Sequence, residues 1–141
     1  MPGSFAHERI VRFSEVDAAQ VVYFSRVYEM AHEAYEALMA ASGLAVGAVF
    51  ANADWGMPLV HTEADYRRPW RLGERISIEG TIAEVSDRSV VFEYRFMDDE
   101  GQQRTRVSMR HAFVSLQTFK ARSAPAEFAE AMQRIGLFDK D

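Results

Sequence analysis

Residues 24–41 place Val27, Met30, Ala31, Ala34, Leu38 and Ala41 on one face at three- and four-residue steps, while Glu29, Glu33 and Glu36 fall mostly away from it. This is the pattern of one long amphipathic helix. It constrains the chain more than any other feature, because a helix with one apolar face needs an apolar surface to lie on. Ser42-Gly43 marks its end, since glycine tolerates the left-handed backbone found there. Most of the remaining chain is extended. Residues 6–13 alternate loosely as a first strand; after an irregular stretch, Pro58 to Arg68 forms a second, stopped by Pro69. Arg75 to Val85 alternates through Ile76, Ile78, Gly80 and Ile82, and Val90 to Met97 is rich in β-branched and aromatic residues. Arg104 to Gln117 puts Val107, Met109, His111, Phe113 and Ser115 on one face. Residues 86–89 read as a turn, and Asp98-Asp99-Glu100-Gly101 is a strong hairpin signal. Pro125 opens a short terminal helix over 125–135. One strand, a long helix and four further strands predict an α+β fold, with a curved antiparallel sheet wrapped around the helix.

The 141 residues suit a single domain over 1–141 with a core that needs no staples. There is no cysteine, which excludes disulfides and thiol nucleophiles. The formal charge of −5 argues against nucleic acid, whose phosphates call for a basic surface. The start of the chain lacks a basic stretch followed by an apolar run, and no apolar segment reaches membrane-spanning length. The expectation is a cytoplasmic protein with no membrane partner. No His-Glu-X-X-His or comparable spacing occurs, so no metal site is expected.

The most informative stretch is Val11-Arg12-Phe13-Ser14-Glu15-Val16-Asp17-Ala18-Ala19-Gln20-Val21-Val22-Tyr23-Phe24. It sets a carboxylate, Asp17, just upstream of the long helix, whose first N–H groups lack intrahelical partners. Such N–H groups receive the negative charge of a tetrahedral intermediate, and a carboxylate beside them attacks a carbonyl or activates water. The plainer reading is that Asp17 caps the helix or the turn before it, which is the commoner use of aspartate at such a spacing.

Asp17-Ala18-Ala19-Gln20-Val21-Val22-Tyr23-Phe24 resembles the motif of the 4-hydroxybenzoyl-CoA thioesterase family of the hot-dog fold: aspartate, small residues, glycine, two aliphatics and an aromatic pair. The likeness continues through Tyr28, His32-Glu33-Ala34-Tyr35, Gly43-Leu44, Met57-Pro58-Leu59-Val60-His61, Asp65-Tyr66, Pro69 and Leu72-Gly73-Glu74, so it covers most of the chain. Val-Val-Tyr-Phe, His-Glu-Ala-Tyr-Glu and Pro-Leu-Val-His look most like the 1,4-dihydroxy-2-naphthoyl-CoA thioesterases of quinone biosynthesis. The resemblance implies a hydrolase of aromatic acyl-CoA with Asp17 as catalytic nucleophile or general base. It also implies a backbone N–H of Tyr23 or Phe24 as oxyanion donor and no cofactor, since coenzyme A belongs to the substrate. Its members form dimers whose sheets join and whose active sites lie between subunits, commonly paired into homotetramers. One residue departs from the pattern. Gln20 stands where the family has glycine; if the position needs positive φ, glutamine costs on the order of 1 kcal/mol there. Gln20 is also a candidate to reach the substrate and orient water.

Pro58 and His61 are further substrate-binding candidates. His61 either bonds the acyl group or is a structural histidine. Arg88 matches a position where the family carries basic residues for the coenzyme A phosphates, with Lys120 and Arg122 as weaker candidates. Tyr28, Phe50, Trp55 and Met57 are candidate lining for an acyl pocket, or plain core. Glu15 and Glu63 read as solvated surface acids, His32 as structural or a subunit contact, and His111 as a strand histidine with no companion ligand. Two other functions stay open. One is a non-catalytic hot-dog domain binding an acyl ligand or a protein, motivated by Gln20. The other is an acyl-thioester dehydratase, which usually wants a histidine-based pair.

Overall fold

A computed structural model describes residues 3–139; the first two and last two residues of the expected 1–141 domain lie outside the described residues. In chain order the elements are β1 (Phe5–Ile10), α1 (Arg26–Ser42), α2 (Val46–Asn52), β2 (Trp55–Gly56), β3 (Leu59–Tyr66), β4 (Arg75–Val85), β5 (Ser89–Met97), β6 (Gln103–Ala112), β7 (Val114–Ser115) and α3 (Ala126–Arg134). Five strands make one sheet in the order β1-β4-β5-β6-β3, with every pair antiparallel. The short strands β2 and β7 pair separately. Register shifts at Leu59/His61, Ile82/Glu84 and Phe96/Met97 mark bulges, which add twist and let the sheet curl.

Helix α1 lies in that curl. Met30, Ala31, Ala34 and Leu38 are buried against Ile76, Ile78, Phe92, Tyr94, Val107 and Met109. Gly80 sets how close helix and sheet come. A Cβ there would stand 3.3 Å from Tyr94 Cε1 and 3.4 Å from Leu38 Cδ2, so a larger residue would push the two layers apart. Gly43 ends α1 at φ 91, as its sequence position predicts. The hairpin at Asp98–Gly101 is also as expected: Gly101 has φ 78, and its N–H donates to the Asp98 carbonyl at 3.0 Å.

Four segments differ from the sequence expectation. The first strand stops at Ile10 rather than residue 13, because Phe13–Glu15 close a 3-10 turn. The long helix starts at Arg26, because its N–H reaches back to Tyr23 in a turn. The irregular stretch after Gly43 contains the short helix α2, in which Gly47 and a seven-residue length hide the period. The last long strand breaks after Ala112: Phe113 donates to the Arg88 carbonyl, and the chain then crosses to pair with β2. Strand β3 is one of the two edges of the sheet, β1 being the other. No residue of β3 is buried and one side of its backbone carries no neighbouring strand among the described residues.

Candidate active site

The motif folds as a small hairpin of its own. Val16 bridges Val22, Val21 bridges Arg71, and the Val22 N–H donates to the Trp70 carbonyl at 2.8 Å. Asp17 sits at the start of the turn. Its N–H donates to Val21, its carbonyl accepts from Gln20, and its Oδ1 accepts the Ala19 N–H at 2.8 Å. Gln20 closes the turn at φ 68. The position the family fills with glycine therefore does take positive φ here, and glutamine adopts it. The loop shape survives the substitution at a cost of about 1 kcal/mol.

Asp17 does not cap α1, whose N-cap is Ser25. It caps its own turn with one carboxylate oxygen and stays exposed, while among the described residues no hydrogen bond is made to the other oxygen. Of the two expected oxyanion donors, Tyr23 is occupied: its N–H donates to the Glu15 carbonyl at 2.9 Å. No carbonyl among the described residues accepts the Phe24 N–H, which lies just before the first turn of α1. The Phe24 carbonyl is held by the Tyr66 hydroxyl at 2.5 Å, which anchors the turn to the far end of β3.

Glu15 is not a solvated surface acid. Arg9, buried on β1, gives it a two-pronged contact at 2.9 and 2.6 Å, and reaches Glu33 of α1 at 2.6 Å with Nε. The Arg12 N–H adds a bond at 2.8 Å. Burial alone would raise the Glu15 pKa, but the hydrogen bonds from Arg9 and Arg12 outweigh it and hold it below its ordinary 4.5. One arginine thus ties β1, the Asp17 loop and α1 together. Sequence reasoning missed Arg9 because an alternating strand gives no sign that one of its charged positions turns inward.

The other candidates collect at the opposite end of the sheet. Leu59 pairs with His111 there, and the rise from Leu59 to Tyr66, at roughly 3.3 Å per residue, puts the two ends on the order of 20 Å apart. Pro58 and Met57 line an apolar cavity of about 450 Å³ together with His32, Tyr35, Phe50, His111 and Phe119. Trp55 is buried core beside Phe113, and Tyr28 is half-buried on α1. Arg88 and Arg122 bracket Phe113, whose N–H donates to the Arg88 carbonyl while its carbonyl accepts from Arg122. Arg88 is exposed beside Asp87, Arg122 leans toward Asp54, and Lys120 closes the β7 turn. His61 faces solvent on the edge strand, 3.8 Å from Glu63, and does not meet Asp17 within one chain. A second depression, about 780 Å³ between β1 and α1, is lined by His7, Glu8, Arg12, Glu33 and Arg75 and holds none of the motif from Asp17 to Phe24. No group of side chains suited to a metal ion occurs among the described residues.

Comparison with known proteins agrees with this fold. Residues 11–132 match the thioesterase-like superfamily. A 1,4-dihydroxy-2-naphthoyl-CoA hydrolase of Trichodesmium erythraeum is 35% identical over 117 residues, covering 82% of this chain and 85% of its own length. A second such hydrolase, from Synechocystis, is 30% identical over 131 residues, 92% of this chain and 95% of its own. The crystal structure of a 1,4-dihydroxy-2-naphthoyl-CoA thioesterase from Synechocystis superposes with a TM-score of 0.85 at 30% identity, covering 92% of this chain and 96% of that one. The curled antiparallel sheet around one helix is the hot-dog fold of these thioesterases, and the chain belongs to the thioesterase-like superfamily.

Proposed function

We propose that the protein hydrolyses an aromatic acyl-CoA of the 1,4-dihydroxy-2-naphthoyl or 4-hydroxybenzoyl type to the free acid and coenzyme A in the cytoplasm. The observation that carries this reading is the exposed Asp17 carboxylate on a pinned turn, followed by the unclaimed Phe24 N–H at the start of α1. Asp17 attacks the thioester carbon, giving an anhydride that water then opens, or takes the proton of the attacking water. Either way the oxygen of the thioester carbonyl gains negative charge, which the Phe24 N–H and the positive end of α1 receive. The sulfur leaves as coenzyme A thiol. Water and the thioester are the only reactants, so no cofactor is required. Arg88, exposed on a turn whose carbonyl accepts the Phe113 N–H, is the group offered to the coenzyme A phosphates.

Two copies complete the site. The open edge of β3 carries exposed Leu59, Val60 and Tyr66, a combination that a second β3 would cover. Antiparallel pairing of two such edges sets the Pro58 end of one strand beside the Tyr66 end of the other. The pocket of one subunit then faces Asp17 of the partner subunit, and His61 enters the same seam. Such dimers pair again into a homotetramer in this reading.

Asp17→Asn should lower thioester turnover on the order of 10²–10⁴-fold with unchanged circular dichroism and Tm. Asp17→Ala beside it controls for deamidation. Both variants would be assayed on a panel of aromatic and aliphatic acyl-CoAs. Near-native turnover in both would sink the assignment of Asp17, and turnover of long aliphatic chains alone would sink the aromatic substrate class.

A further inference from the structure

The cavity between α1, α2 and the start of β3 is apolar except for a few groups, and two of them form a matched pair. His111 is 3% exposed, on the inner face of β6. Its Nδ1 lies 2.9 Å from the Met57 carbonyl. A carbonyl only accepts, so Nδ1 carries the hydrogen. Burial pushes the His111 pKa below its ordinary 6.5, so the ring is neutral near pH 7 and Nε2 is a bare lone pair. Nε2 is buried and has no partner among the described residues. A buried acceptor left unpaired is costly and calls for an occupant.

Tyr35 of α1 stacks on the same ring, with centroids 4.9 Å apart and planes 11° from parallel. Among the described residues its hydroxyl donates only to the Met57 sulfur, at 3.8 Å, a weak acceptor. Burial pushes the Tyr35 pKa up to about 12, so the hydroxyl keeps its proton. A strong donor on a weak acceptor thus sits against a strong acceptor with no donor. The group that answers both is a hydroxyl, which gives one hydrogen bond and takes one. The surrounding wall of Met39, Val46, Val49, Phe50, Pro58 and Phe119 suits a flat apolar ring, and about 450 Å³ lies within the range of small-molecule sites. Tyr94 Oη, besides His111 Nε2 the other buried polar side-chain atom without a partner among the described residues, is wholly buried and is not part of the cavity wall.

We infer that this cavity is a specificity pocket for a hydroxylated aromatic acyl group, whose ring hydroxyl donates to His111 Nε2 and accepts from Tyr35 Oη. The inference rests on the hydrolase reading for its substrate class and on paired β3 edges for its access to Asp17 of the partner subunit. Neither His111 nor Tyr35 is a catalytic base here; they select the ring.

The test uses two acyl-CoAs that differ by one hydroxyl, 1,4-dihydroxy-2-naphthoyl-CoA and 1-hydroxy-2-naphthoyl-CoA, and the two corresponding free acids. His111→Phe keeps the ring and removes the acceptor; His111→Gln restores an acceptor near the Nε2 position. The native protein should favour the dihydroxy ligand in both kcat/KM and acid binding. His111→Phe should shrink that preference by about 10- to 100-fold, and His111→Gln should recover part of it. An equal loss on both ligands in His111→Phe would mean a purely structural histidine and overturn the inference. A native protein that binds both acids equally would overturn it too. A native protein that prefers the dihydroxy acid but hydrolyses no acyl-CoA would leave the pocket standing and remove the hydrolase reading instead.

Discussion

Gln20 concentrates the relation between this sequence and its family in one dihedral angle. Its φ of 68 keeps the turn that presents Asp17, so the departure from glycine changes strain rather than shape. Gln20→Gly should therefore raise stability by roughly 1 kcal/mol, read as a higher Tm, and leave turnover within a few-fold of native. A large drop in turnover on that change would instead assign the glutamine side chain a part in binding or water positioning. The motive for a non-catalytic domain weakens accordingly, because the turn it called into question is intact. At the same scale, Asp17 was legible in the sequence as a motif residue but ambiguous as a cap. The ambiguity resolves because its bond to Ala19 is local and the helix begins nine residues later, at Arg26.

At the scale of elements, periodicity carried α1 and the four longer strands, while it said nothing of α2 or of the break at Phe113. Both need tertiary information: α2 is too short to show a period, and the strand breaks because the Arg88 carbonyl competes for the Phe113 N–H. His61 shows the same limit from the other side. Its strand was visible, but which strand would lie at the edge depends on sheet order, and only the fold shows that it faces outward. The open edge of β3 leads to a direct expectation. Val60→Asp is harmless to a lone chain, since Val60 is already exposed, but places charges against one another between paired edges. Sedimentation should show the proposed dimer dissociating and acyl-CoA hydrolysis falling at least about tenfold, since binding energy lost at the seam is also lost at the proposed shared site. An unchanged oligomer would place the interface elsewhere.

For the whole molecule, buried titratable groups set an acid limit in two stages. The folded pKa of His111 lies below its ordinary 6.5, chiefly through burial, so the unfolded chain takes up the proton first. Stability should decline as pH drops below 6.5. The Glu15 pKa lies below 4.5 despite burial, because Arg9 and Arg12 favour the charged form. Its contribution is present above 4.5 and is lost as pH falls through the lower folded value. Thermal unfolding from pH 8 to pH 3 should show a first decline that His111→Gln reduces, beside the part that belongs to His32, whose pKa burial also lowers, and a second that Glu15→Gln reduces, beside the parts that belong to Glu74 and Asp98. A single decline insensitive to both would assign acid unfolding to other groups. The fold as a whole was readable because one long helix and a run of strands leave few ways to bury both. The proposed site was readable only in halves, because the Asp17 turn and the Pro58 pocket lie at opposite ends of β3.

In the proposed dimer, that separation has a genetic meaning. A site shared across an antiparallel seam can be lost in either of two genes and regained by mixing their products. Subunits carrying Asp17→Ala and subunits carrying a blocked pocket are each silent alone. A mixed dimer of the two holds one site with both defects and one with none. Random reassortment of equal amounts should return about a quarter of the native sites, from two preparations that have almost none.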